Sequence, residues 1–299
     1  MLTDVRFAVL APTAAGVTSD ADWMAGFAAH VEALGFESLV VVEHPVVVRG
    51  YDEAYPYDAS GRMDLPDDCV LPDPLELLAF LAARTTTLGL ATGVLLLPVH
   101  HPVVLAKRLA TLDALSGGRV RACVGVGWMR EELEACGVDV ATRGRRADEQ
   151  LAAIRALWSA PDDGANFSGR YFRFRRAVSR PRPVQPGGVP LHVGGHSEAA
   201  ARRAGRLGDG LQPLGVRGEE LASLVATMRA EAERAGRDPD ALELTLGHHA
   251  ARVDRDRAGR LAEQGADRIV LATTPTPDLA AACAELTACA ERLGLEPPS

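Results

Sequence analysis

A chain of 299 residues is long enough for one large domain, and its 47% hydrophobic and 24% charged residues are typical of a globular protein. Its 40 acidic and 32 basic residues give a formal net charge of −8, which disfavours nucleic acid and anionic membranes as partners. No apolar run reaches the about 18 residues of a membrane span, no leader-like segment opens the chain, and the five cysteines form no C-x-x-C pair. We therefore expect a cytoplasmic protein without a metal centre or a disulfide framework.

Short apolar runs alternate with longer Ala/Leu-rich amphipathic segments along the chain. The predicted strands are, in order, Arg6–Pro12, Ser38–Val42, Thr87–Leu97, Val120–Val126, Leu191–Val193, Gly210–Pro213, Leu242–Leu246 and Arg268–Leu271. The predicted helices are Ala21–Leu34, Pro74–Arg84, Val103–Leu115, Arg143–Trp158, Glu198–Leu207, Arg217–Ala235, Arg257–Gln264 and Leu279–Leu293. Such alternation predicts an α/β fold with a parallel sheet, and we expect a (β/α)8 TIM barrel in a single domain spanning residues 1–299. An open, doubly wound sheet would give a similar pattern.

Two insertions interrupt this alternation, one after strand two and one before strand five. Residues 45–73 are rich in Pro and Asp, and their tyrosines (Tyr51, Tyr55 and Tyr57) could either form a substrate lid or pack the loop onto the barrel rim. Residues 159–190 carry six arginines, at positions 170, 173, 175, 176, 180 and 182. This pattern favours a solvated excursion, and a contact to a cofactor tail or to another subunit is the alternative.

Candidate catalytic residues follow the second strand, because the active site of a barrel is built at the carboxyl ends of its strands. Glu43 and His44 are an acid/base pair at that point. Imidazole titrates near neutral pH and is well suited to proton transfer. A strand-end histidine that simply bonds to a backbone carbonyl is the other interpretation.

Small and polar residues follow the start of strand three and the ends of strands four and five, as a planar cofactor with a phosphate would need. They are Thr92, Gly93 and Val94, then Gly125, Gly127 and Trp128, then Gly194, Gly195, His196 and Ser197. The last group could bind phosphate at a helix start, or be a plain strand-to-helix turn with Ser197 as the cap. None of these turns is the dinucleotide fingerprint G-x-G-x-x-G. The His-His pairs at 100–101 and 248–249 are adjacent residues, which rarely face one metal ion, so we expect no metal site.

Residues 90–137 carry the most specific pattern, LATGVLLLPVHHPVVLAKRLATLDALSGGRVRACVGVGWMREELEACG, and a second run, VGGHSEAAARRAGRLGDG, spans residues 193–210. Together they resemble the luciferase-like monooxygenase/F420-dependent oxidoreductase superfamily. The resemblance implies the barrel and a flavin-type ring beside a strand-three bulge with a non-prolyl cis peptide, at Gly93–Val94. It implies that Glu43 and His44 lie beside the ring, with Gly125, Gly127 and Trp128 at its edge. Residues 194–197 would contact the phosphate.

The segment pattern is most similar to the actinobacterial F420-dependent branch, so the resemblance implies coenzyme F420, with FMN as the alternative. The expected reaction is hydride transfer between ring carbon 5 and a small organic substrate, with His44 moving the paired proton. A reduced-FMN-dependent monooxygenase is a second hypothesis, and a non-catalytic flavin- or deazaflavin-binding protein is a third. The family also implies a homodimer. The sequence does not identify the substrate.

Overall fold

Eight parallel strands form a closed barrel in the computed structural model, which describes residues 5–56, 60–63, 65–66 and 68–297. The barrel strands are β1 (Arg6–Leu10), β2 (Ser38–Val41), β3 (Gly89–Leu96), β4 (Val120–Gly125), β7 (Leu191–Gly194), β8 (Gly210–Gln212), β9 (Glu243–His249) and β10 (Arg268–Ala272). A separate hairpin consists of β5 (Ala165–Ser168) and β6 (Arg173–Ala177). The order around the barrel is β1-β10-β9-β8-β7-β4-β3-β2, which confirms the predicted (β/α)8 barrel and excludes the open sheet.

Helices surround the barrel and bury their apolar faces against the strands. They are α1 (Ala21–Ala33), α2 (Pro74–Ala82), α3 (Pro102–Ser116), α4 (Arg130–Ala135), α5 (Arg143–Trp158), α6 (Glu198–Leu207), α7 (Gly218–Arg234), α8 (Arg255–Glu263) and α9 (Leu279–Leu293). Side-chain caps set several starts: Asp20, Ser197 and Asp278 accept backbone N–H bonds at α1, α6 and α9. None of the described helices is long and apolar enough to cross a membrane.

Inward-facing side chains fill the barrel in layers, because every second residue of a strand points toward the axis. The middle layer is small and apolar, formed by Ala8, Val40, Ala91 and Val270. The layer at the amino ends of the strands is polar and contains paired arginine and glutamate side chains. At the carboxyl ends, glycines at positions 93, 194 and 247 replace large side chains. The barrel is therefore lined by charged side chains at its amino end and by glycines at its carboxyl end, where (β/α)8 enzymes place their active sites.

The insertion before the fifth barrel strand contains the hairpin β5–β6, which the sequence analysis did not predict. Phe167 and Phe174 stack across it with ring centroids 5.5 Å apart. Glu149 of α5 fastens the turn by accepting backbone N–H bonds from residues 170, 171 and 172. Five of its six arginines are exposed and Arg182 is half-buried, as expected of a solvated excursion.

Candidate active site

A bulge in β3 shapes one wall of the open end of the barrel. The pairing of β3 with β4 shifts between Gly93 and Leu95, so Val94 is the extra residue. The Gly93–Val94 peptide is cis, at the position that the family resemblance implied. Three residues predicted to contact a cofactor therefore lie in or beside a local break in the strand ladder.

The side chain of Val94 lies against the ends of the next two strands, and each of those strands ends in a glycine. A Cβ placed on Gly125 of β4 would lie 2.7 Å from Val94 Cγ2, and one on Gly194 of β7 would overlap Val94 Cγ1. The glycines are therefore required for Val94 to occupy its position. The structure thus brings three of the predicted cofactor-binding groups into one continuous surface.

Open space lies across the barrel mouth from the bulge. Gly247 of β9 is exposed, and a Cβ placed on it would meet nothing within 4 Å. Because three strands separate β9 from β3 on each side of the barrel, Gly247 and Gly93 lie on opposite walls. Gln212 of β8 reaches toward the bulge, with its Nε2 3.5 Å from where a Gly93 Cβ would be. The mouth has room for a flat ring, and Gln212 is a polar group beside that room.

His44 is held by a buried carboxylate. Its Nδ1 lies 3.0 Å from Oε2 and 3.1 Å from Oε1 of Glu132, and only 11% of the His44 side chain and 1% of the Glu132 side chain are exposed. A carboxylate in this position accepts the Nδ1 hydrogen, which leaves Nε2 as the nitrogen that can exchange a proton. His44 is therefore oriented by a side chain, and the alternative of a backbone carbonyl partner is not what the structure shows.

Each carboxylate oxygen of Glu43 has a partner within the protein. Oε2 accepts the backbone N–H of Leu96 at 2.5 Å, and Oε1 lies 2.8 Å from Nε2 of His100. The residue is 5% exposed. Its carboxylate links the end of β2 to β3 just after the bulge, so Glu43 stabilises the backbone at this point.

Thr92 also stabilises the backbone near the bulge. It is 1% exposed, and its hydroxyl donates to the carbonyl of Cys123 at 2.8 Å. Since Ala91 and Gly93 face the barrel axis, Thr92 faces outward between the strands. It therefore fastens the strand before the bulge and does not line the mouth.

The predicted phosphate-binding turn follows β7 and begins α6. Ser197 is exposed and caps α6, accepting the N–H of Ala200 with its side chain. Gly195 adopts a φ of +133° and donates its N–H to the carbonyl of Gln212, so this group is already used. His196 lies between them and is half-buried. The first N–H groups of the helix and the Ser197 hydroxyl remain oriented for an anion.

A cavity of about 380 Å³ lies beside His44. Its lining is mixed: polar residues (Glu43, His44, Asp73 and His100) face it together with the apolar side chains of Pro45, Leu71 and Val99. Burial, followed by the carboxylates of Glu132 and Glu43, raises the pKa of Cys136, which lines the same cavity. The thiol therefore stays protonated at neutral pH, and the cavity can hold a small organic molecule against the imidazole.

The sequence profile of the luciferase-like monooxygenase family matches residues 5–294. The chain belongs to that family. A protein of Mycobacterium tuberculosis strain H37Rv, described as uncharacterized, is 35% identical over 206 residues, which cover 69% of this chain and 70% of the relative. The F420-dependent glucose-6-phosphate dehydrogenase of Nakamurella multipartita is 30% identical over 237 residues, covering 78% of this chain and 68% of the relative.

Solved structures share the fold of this luciferase-like enzyme. An F420-dependent secondary alcohol dehydrogenase in complex with an F420-acetone adduct superposes with a TM-score of 0.77 at 18% identity, covering 98% of this chain and 99% of that one. A riboflavin lyase with modified FMN and riboflavin superposes with a TM-score of 0.66 at 25% identity, covering 88% and 66%. The monooxygenase RslO1 of Streptomyces bottropensis gives 0.72 at 21%, covering 97% and 98%.

The insertion after β2 packs over the mouth of the luciferase-like barrel. Tyr51 and Tyr55 each place their ring centroid 5.1 Å from that of Trp128, and the His44 ring is 6.4 Å from Trp128. The same loop is fastened to α4, because Asp52 donates its N–H to Glu131 at 2.8 Å. Tyr57 lies outside the described residues. The tyrosines that are described pack the loop onto the rim, beside His44, where a lid would also lie.

Sequence reasoning missed three polar residues of this site: Glu132, His100 and Gln212. Glu132 has three charged neighbours on α4 (Arg130, Glu131 and Glu134), and only its burial distinguishes it. Helix α4 has only six residues, and its two buried ones, Glu132 and Leu133, are too few to show a helical periodicity in the sequence. Among the described residues, no group of three or more His, Cys, Asp or Glu side chains could hold a metal ion.

Proposed function

We propose that this luciferase-like enzyme is an F420-dependent oxidoreductase that transfers a hydride between the deazaflavin and a small organic substrate. The observation that carries the proposal is the shared surface of Gly93, Val94 and Gly194 at a barrel mouth that also presents His44. The relative from Nakamurella multipartita, named as F420-dependent and 30% identical, supports this cofactor over FMN. The cavity beside His44, with both polar and apolar walls, supports a small organic substrate.

The residues of the mouth fit a planar ring with an anionic side chain. The bulge at Gly93–Val94 would support the ring, and Gly247 leaves the opposite side open. Gln212 and Trp128 would lie at its edges. Ser197 and the first N–H groups of α6 would hold the phosphate, since a helix start favours negative charge.

Coenzyme F420 supplies a ring carbon that accepts or donates hydride. His44 Nε2 takes the proton from a substrate hydroxyl in the oxidative direction and returns it in the reductive direction. The buried carboxylate of Glu132 stabilises the imidazolium that forms and keeps the ring oriented. The aromatic roof of Tyr51, Tyr55 and Trp128 limits the access of water to this proton transfer.

We assign Glu43 and Thr92 a positioning role in place of a direct one. Each is buried and each uses its polar atoms to hold the backbone around the bulge. In this proposal Glu43 is not an acid or a base, and His44 is the catalytic residue. Gly125, Gly127, Gly195 and His196 shape the backbone around the cofactor.

Fluorescence titration of the purified enzyme with F420 and, separately, with FMN tests the cofactor. We expect saturable F420 binding and weaker FMN binding. Tight FMN binding with no response to F420 would instead support an FMN-dependent monooxygenase, which the riboflavin lyase structure with modified FMN favours. An Ala substitution at His44 that binds F420 yet has no effect on any turnover would support the non-catalytic alternative.

We also propose that the enzyme works in the cytoplasm as a homodimer, as its family resemblance implies. The exposed side chains of Val104 and Leu115 on α3, at 57% and 75% exposure, offer apolar surface for a second subunit. Light scattering of the purified protein measures this directly. A monomeric mass at micromolar concentration would contradict the dimer.

A further inference from the structure

A second cavity, of about 320 Å³, lies at the amino-terminal end of the barrel, opposite the mouth that contains His44. Its walls are the first residues of several strands and the turns that precede them. The charged side chains that line it are Arg6, Glu37, Arg119, Arg121, Glu243 and Arg268. A cavity with four arginines and two glutamates is an unusual way to end a barrel core, because charged groups are costly to bury unless they are paired.

Two glutamates connect three of these arginines. Glu37 Oε1 accepts from Arg121 Nη1 and from Arg268 Nη2, each at 3.0 Å. Glu243 Oε2 accepts from Arg268 Nη1 at 2.8 Å, and its Oε1 accepts from Arg6 Nη2 at 2.6 Å. Arg268 is therefore the centre of the network, and Arg6 and Arg121 are its two ends.

The network carries more positive than negative charge. Three guanidinium groups share two carboxylates. Arg119 adds no further excess, because its N–H groups are used on Thr85 and on nearby backbone carbonyls and its charge interacts with that of Glu32. His192 adds none, because burial, followed by Arg121, lowers its pKa to about 3. The excess charge faces a space large enough for a ligand.

Arg6 is the group with donors to spare. Its side chain is 41% exposed at the rim of the cavity. Within the described part of the chain, the one hydrogen bond of this side chain runs from Nη2 to Glu243, so Nε and Nη1 are free to bind another acceptor.

We propose that this cavity binds a phosphate-type oxyanion at the free Nε and Nη1 donors of Arg6. Guanidinium groups match the geometry of phosphate oxygens, and charge-assisted bonds of this kind are among the strongest hydrogen bonds in proteins. The cavity exceeds the volume of a phosphate ion, so it accommodates inorganic phosphate or the phosphate group of a small metabolite. The site is separate from the cofactor-binding turn at Ser197.

Thermal unfolding and calorimetric titration with sodium phosphate, against sodium chloride at equal ionic strength, test the site. We expect phosphate to raise Tm and to bind saturably, and chloride to do neither. Arg6→Gln should weaken phosphate binding by about tenfold or more, since it removes charged donors while Glu243 keeps its bond to Arg268. A parallel titration with glycerol 3-phosphate tells whether the site takes inorganic phosphate or the phosphate group of a metabolite. Tighter binding of glycerol 3-phosphate than of inorganic phosphate indicates a metabolite.

Two matched variants make the test specific. Arg229→Gln removes an exposed arginine that pairs with Asp240 on the outer surface, and it should bind phosphate like the unaltered protein. Ser197→Ala changes the other anion-binding candidate, and the part of the phosphate response that Arg6→Gln removes should persist in it. Equal effects of phosphate and chloride, undiminished binding by Arg6→Gln, or loss of binding in Ser197→Ala but not in Arg6→Gln would each overturn the proposal.

Discussion

The Nδ1 atom of His44 lies 3.0 Å from a carboxylate oxygen of Glu132, although 88 residues separate the two in the chain. The link arises because α4 starts directly after the turn that carries Trp128, and β4 and β2 are both neighbours of β3 in the barrel. One imidazole nitrogen is thereby fixed and the other is left for chemistry. This pair is the reason to regard His44 as catalytic.

Replacing Glu132 with Gln tests the function of this carboxylate. The amide keeps the size of the side chain but does not stabilise a positive imidazolium, so we expect the turnover rate to fall roughly 10- to 100-fold. F420 affinity should stay unchanged, because Glu132 is not part of the proposed ring surface. Steady-state kinetics with a fluorescence titration separates the two effects.

A matched control completes that test. Glu134→Gln, on the exposed side of the same helix, should leave the turnover rate unchanged. Equal rate losses in both variants would contradict the orienting role.

Gly194→Ala should disrupt the bulge by steric overlap with Val94. The added methyl group would collide with Val94 Cγ1, so we expect weaker F420 binding and a lower Tm. The double variant with Val94→Ala removes the colliding group and should recover most of the loss in Tm. No recovery in the double variant would show that the two positions are not coupled through this contact.

Gly247→Ala probes the open side of the mouth. Because its new methyl group meets nothing in the protein, Tm should be unchanged, whereas F420 binding should weaken if the ring fills that space. Gly259→Ala, on α8, also adds a methyl group in open space and is the matched control for F420 affinity. Unchanged F420 affinity in Gly247→Ala would place the ring elsewhere.

The polar layer at the amino end makes stability depend on acid. Burial alone would raise the pKa of Glu37, but Arg121 and Arg268 lower it from 4.5 to about 2. The stability that Glu37 contributes to the folded state is therefore complete above pH 4.5 and is lost as the pH falls toward 2. Burial is the main cause that lowers the pKa of His192 from 6.5 to about 3. Between these two pH values the unfolded chain binds a proton at His192 that the folded protein does not, so the folded state loses stability there as the pH falls. The free energy of unfolding should therefore decline from pH 6.5 downward.

Urea unfolding between pH 7 and pH 4 measures this decline. A His192→Gln variant no longer gains a proton on unfolding at that position, so its stability should fall less steeply from pH 6.5 to pH 4.5. An identical slope in the variant and the unaltered protein would rule out His192 as a source of the pH dependence.

The barrel was predictable because local signals mark its elements. Helix α9 has the predicted bounds, Leu279–Leu293, since Asp278 caps its start and Gly294 ends it with a left-handed residue. Strand β9 was predicted to end at Leu246 but continues to His249. Its last three residues line the mouth and its rim, where apolar side chains are not needed, so the hydrophobic pattern stops where the site begins.

The partners within the site were not predictable from local sequence. Glu43 was predicted to act in acid/base chemistry, and only the three-dimensional contacts show its oxygens bound to Leu96 and His100. Arg121 and Arg268 interrupt apolar strands and gave no sign that they would pair with Glu37 across the barrel. Such contacts depend on strand order and register, which the spacing of residues along the chain does not contain.

A crystal structure of the enzyme with F420 tests the central claim most directly. We expect the deazaflavin ring against Gly93–Val94, its phosphate at the start of α6, and His44 Nε2 facing the ring carbon that exchanges hydride. A cofactor bound away from the bulge, or a His44 whose Nε2 points away from the ring, would contradict the account.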